Sequence, residues 1–76
     1  MYYEKLVAIT KDYLGPAAER FIKRQIDFHL EKKPDALTRE DVMRLAEWIQ
    51  NALSLLTGDK EMVKDVAARI RVLAEN

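Results

Sequence analysis

The chain has 76 residues, 49% of them apolar and 34% charged, and its 13 basic residues are balanced by 13 acidic ones. A chain this short is a single domain, spanning 1–76, that buries only about 60% of its unfolded surface, while its apolar content excludes disorder. Zero net charge excludes the broad positive field of a non-specific nucleic-acid binder, and the absence of cysteine excludes disulfides and thiolate metal sites.

Helical periodicity recurs four times, and no stretch alternates as a half-buried strand would. The first helix is predicted over 2–14, with Tyr2, Leu6, Ile9 and Tyr13 on one side and Tyr3, Val7, Thr10 and Leu14 beside them. Gly15 ends it with a left-handed backbone, and Pro16 opens the second helix, 16–30, where a missing N–H costs nothing. Ala18, Phe21, Ile22, Ile26 and Leu30 line that helix, and Ala17 and Phe28 widen its apolar arc, as expected of a helix touched from two sides. Pro34 stops it and pushes Lys33 to an extended conformation.

Thr38 then caps a third helix, 39–56, although Asp41 at the third helical position is a weaker partner than the Glu of a full capping box. Val42, Leu45, Ala46, Ile49, Ala52, Leu53 and Leu56 form its stripe. After Thr57-Gly58, Asp59 can cap a fourth helix, 60–74, carrying Val63, Val66, Ala67, Ile70, Leu73 and Ala74. So short a connection predicts that the last two helices form an antiparallel hairpin in a compact, all-α, four-helix domain. The apolar runs are too short to cross a membrane, and Met1-Tyr2-Tyr3-Glu4 lacks the basic flank and apolar core of a signal peptide, which predicts a soluble, unprocessed, cytoplasmic chain.

The residues offer no nucleophile with a base at fixed spacing, no metal-ligand cluster and no Gly-rich phosphate loop, so no catalytic residue and no cofactor is expected. His29, the one histidine, is read as a partly buried ring hydrogen-bonded to Gln25, a carbonyl or water. Glu19 with Lys23, Glu40 with Arg44 and Asp65 with Arg69 are spaced for surface ion pairs. Trp48 and Leu55 lie seven residues apart on one face of the third helix. They form either the covered edge of the core or an aromatic-anchored patch for a partner or a second copy. Tyr2 and Tyr3, with Tyr13, could extend such a surface. Arg20, Lys23 and Arg24 on the second helix, with Arg69 and Arg71 on the fourth, form the alternative basic surface for nucleic acid, interrupted by Glu19 and Asp27.

The run Tyr13-Leu14-Gly15-Pro16-Ala17-Ala18, followed by Phe21-Ile22-Lys23-Arg24 and later Leu45-Ala46-Glu47-Trp48-Ile49, resembles a helical domain of bacterial signalling proteins that carries a Tyr-(Ile/Leu)-Gly-Pro-x-Ala element. The match runs from Leu6 to Leu56. The resemblance implies a module of the kind found at the C-terminal end of kinases, receivers and related regulators. Together with the apolar helix faces, it predicts a protein-interaction or oligomerisation role, with another protein or a second copy as partner and nucleic-acid binding as the alternative.

Overall fold

The computed structural model describes residues 1–75, and all regular structure in them is helical. Helix α1 spans Tyr2–Leu14, α2 Ala18–Leu30, α3 Arg39–Leu56 and α4 Lys60–Glu75, with tight 3₁₀ turns at Gly15–Ala17 and Pro34–Ala36. None of these helices is long and apolar enough to cross a membrane.

Each helix end has a local cause. Gly15 has φ 60° and ψ −136°. The positive φ is the expected one, but this ψ lies outside the left-handed helical basin, in a region that only a residue without Cβ occupies readily. A Cβ added there would meet nothing within 4 Å, so the backbone alone reserves the position for glycine. The chain spends one 3₁₀ turn on the corner before α geometry resumes, and α2 therefore begins at Ala18 rather than at Pro16. At its other end α2 closes on Glu31, which takes a left-handed conformation, φ 52° and ψ 39°, and donates its N–H to the Ile26 carbonyl at 3.2 Å. Lys33 is extended ahead of Pro34, as the proline demands.

Asp41 makes a complete capping box despite its short side chain. Its N–H donates to Thr38 Oγ1 at 3.2 Å, and its Oδ2 accepts the Thr38 N–H at 3.0 Å. Asp41 is only 5% exposed, and Lys32 Nζ donates to the same Oδ2 at 2.7 Å. Burial opposes its charge, yet the hydrogen bonds from Lys32 and Thr38 outweigh burial and hold the carboxyl below its usual range. At α4, Asp59 Oδ1 accepts the Met62 N–H at 3.1 Å, the cap expected from the sequence.

The capped helices pack around one core. Val42, Leu45, Ala46, Ile49 and Leu53 of α3 meet Val63, Val66, Ile70 and Ala74 of α4, and Leu6, Ile22 and Ile26 complete the cluster from α1 and α2. The α3–α4 contact is the most extensive; α1 packs on α2 and α4, and α2 packs more lightly on α3. Ala17 and Phe28 take no part: both are exposed, Phe28 at 81%, so the buried arc of α2 is narrower than its apolar residues suggest. Thr10 is fully buried, and its hydroxyl donates to the Leu6 carbonyl at 2.7 Å, which removes the cost of an unpaired polar group. The radius of gyration, 11.1 Å, matches the value of about 11 Å for a compact chain of this length.

Three expected outcomes follow for stability in urea. Gly15→Ala lowers it by about 1–2 kcal/mol through backbone strain without a clash, whereas Glu31→Gly, which relieves a left-handed non-glycine residue, raises it by up to about 1 kcal/mol. Asp41→Ala costs about 1–2 kcal/mol at neutral pH, mostly through the cap, because Lys32 is partly exposed and screened. The folded carboxyl titrates below the unfolded value of 3.8. Its stabilisation is therefore complete above that pH and lost as pH falls through the lower folded value, and the variant shows a smaller acid loss than the parent chain.

Candidate interaction surface

The aromatic residues of α2 and α3 meet at the edge of the core. The Trp48 indole stacks on the His29 imidazole with ring centroids 4.2 Å apart and planes 6° from parallel, and Phe28 meets His29 edge-on at 5.0 Å. Trp48 is half-buried and packs on the core, while Leu55, two turns further along, is 89% exposed. The expected Trp48–Leu55 patch is thus divided: α2 covers one end and leaves the other in solvent. His29 spends its ring face on Trp48, and the expected bond to Gln25 does not form at Oε1, which is buried without a partner.

Tyr2 and Tyr3 are half-buried against the core, so neither presents its whole ring to a partner. Tyr3 ties α1 to α2, its hydroxyl donating to Glu19 Oε2 at 3.0 Å. Burial, followed by that hydrogen bond to a carboxylate, pushes the phenol up to about 12. Tyr13 ties α1 to α4: the Arg69 guanidinium lies 5.5 Å from its ring centroid and donates to its hydroxyl at 3.1 Å.

The basic residues are mostly engaged by neighbours. Arg69 donates to Asp12 Oδ2 at 2.9 Å rather than pairing with Asp65, because α1 packs beside α4 and offers two acceptors together. Hydrogen bonds with Tyr13 and then Asp12 raise its pKa further above the ordinary range. Arg71 donates to Gln50 Oε1 at 3.0 Å, and Lys23 lies 3.9 Å from Glu19, while Arg20 and Arg24 are exposed. The two basic stretches sit on α2 and α4, which have no substantial contact, and so they do not merge into one surface. Among the described residues no three carboxylate or imidazole groups gather closely enough to hold a metal ion.

One concave feature lies between α1 and α4. Lys5, Ala8, Ile9 and Asp12 form one wall and Ala68, Arg69, Val72 and Leu73 the other, around a groove of about 650 Å³. Its shape has a simple cause. Ala8 and Ala68, both exposed, offer little volume between the two helices, and Val72 is 54% exposed beside them. Such an apolar depression with a charged rim is suited to accepting a ridge of side chains from another protein. The sequence holds its parts, since Ala8 and Val72 fall outside the main helix stripes, but which wall faces which depends on helix packing. Searches against family models, curated proteins and solved structures find no match to this chain.

Trp48→Ala is expected to cost about 2–3 kcal/mol and to leave the chain folded, while His29→Ala costs about 1 kcal/mol, the value of one stacked pair. Thermal unfolding followed by circular dichroism checks both.

Proposed function

We propose that this chain is a non-catalytic protein-interaction or oligomerisation module, a compact four-helix domain with its last two helices antiparallel, working in the cytoplasm in bacterial signalling. The observation that carries the interaction reading is the α1–α4 groove. It combines apolar lining, exposed Val72 and a rim of Lys5 and the Asp12–Arg69 pair, which is the composition of a binding patch: apolar at the centre and polar at the edge. The signalling part rests on the resemblance of the Tyr13-Leu14-Gly15-Pro16-Ala17-Ala18 corner. That corner joins α1 to α2 through a single 3₁₀ turn. The alternative, nucleic-acid binding, has weaker support because Lys23, Arg69 and Arg71 already engage neighbouring side chains.

A photo-crosslinking side chain placed in turn at Val72, Arg20 and Arg24, in cells and in lysates of stepped salt concentration, separates the two readings. Protein adducts at Val72, with none at Arg20 or Arg24, are the expected result. Nucleic-acid adducts at Arg20 or Arg24 that disappear as salt is raised, with Val72 silent, would replace this reading by the alternative.

A further inference from the structure

We infer that the occupant of the α1–α4 groove is a second copy of this chain, docked about a two-fold axis with the two α1 helices antiparallel; this rests on the interaction reading above. The argument comes from the order of side chains along one wall. Lys5, Ala8, Ile9 and Asp12 follow the spacing i, i+3, i+4, i+7, so they form one stripe on α1, and all four line the groove. Lys5 and Asp12 are two turns apart, about 10.5 Å along the axis. When this stripe meets its own copy in the antiparallel sense, with Lys5 opposite Asp12 of the second copy, Ala8 falls opposite Ile9 of the second copy, and the two-fold repeats both pairs. Positive meets negative at each end, and small meets large at the centre. A parallel arrangement would instead oppose Lys5 to Lys5 and Asp12 to Asp12, which the like-charge cost disfavours.

The charges are available for this pairing. Lys5 makes no ion pair among the described residues. Arg69 engages only Oδ2 of Asp12, so Oδ1 remains for the ammonium of a second copy. Asp12 would then lie between two cations, Arg69 of its own chain and Lys5 of the other. Ala8 allows the helices to approach closely, and exposed Val72 on the opposite wall adds apolar contact. A 13-residue helix is only about 20 Å long, which places this interface at the small end of specific ones and its Kd on the order of micromolar.

Sedimentation equilibrium of the full chain, across concentrations spanning that Kd, tests the inference. The wild-type chain is expected to show a monomer–dimer equilibrium that Lys5→Glu and Asp12→Lys each weaken by roughly tenfold or more. An equimolar mixture of the two variants should recover dimer, because one then presents only acidic and the other only basic groups at these positions. If Asp12→Lys disturbs folding by circular dichroism, Ala8→Arg replaces it: a charged side chain at the exposed centre should abolish the dimer in a folded chain. A wild-type chain that stays monomeric at every concentration overturns the second-copy occupant, whereas loss of protein adducts at Val72 would overturn the interaction reading itself. A dimer that withstands both Lys5→Glu and Ala8→Arg places self-association elsewhere and overturns this face.

Discussion

Without disulfides, the chain depends on one continuous apolar seam, in which Val42, Leu45, Ala46, Ile49 and Leu53 of α3 face Val63, Val66, Ile70 and Ala74 of α4. Each large aliphatic side chain in that seam contributes roughly 1.5–3 kcal/mol of burial. A domain of this length retains only about 4–11 kcal/mol of net stability, so the seam cannot lose many members. Leu6 of α1 and Ile22 and Ile26 of α2 close the core against α3 and α4. The outer helices are joined to it by fewer apolar contacts and by several specific polar ones.

Those polar contacts explain how so small a core fixes the position of α1. Tyr3 reaches Glu19 on α2, and Arg69 of α4 reaches both Asp12 and Tyr13 on α1. Such exposed interactions contribute little free energy individually. They nevertheless tie α1 to α2 and to α4 at defined positions. The Gly15 corner acts in the same sense by restricting how α2 can leave α1, and the Thr38–Asp41 box fixes where α3 begins.

The same economy shapes the surface. A side chain recruited to hold helices together has less left to offer a partner, and Trp48, Tyr3 and Arg71 are engaged in this way, whereas the Asp12–Arg69 pair ties α1 to α4 at the rim of the groove itself. The groove beside α1 has the opposite origin. It exists where Ala8 and Ala68 supply too little volume for the two helices to close on each other. The proposed binding role therefore attaches to a packing deficit on one side of the molecule, and the charges at its rim are arranged along a single helix.

The sequence by itself determined the all-helical class, the stripes on α1 and α4, the α3 stripe apart from Leu56, which is 70% exposed, the cap at Asp59 and the need for glycine at position 15, because each of these depends on neighbours within a turn or two. Glu31 escaped that reading, since the left-handed conformation that closes α2 falls on a glutamate rather than on the glycine or asparagine that usually marks such a cap. The partners of His29 and Arg69 also came from other helices: a ring that locally could reach Gln25 found Trp48, and a guanidinium spaced for Asp65 found Asp12 and Tyr13. The groove itself was likewise decided only by tertiary structure. Side-chain periodicity specifies which face of a helix is buried, but the depth and lining of a surface between two helices depend on their relative rotation and on the summed volume of residues far apart in the chain.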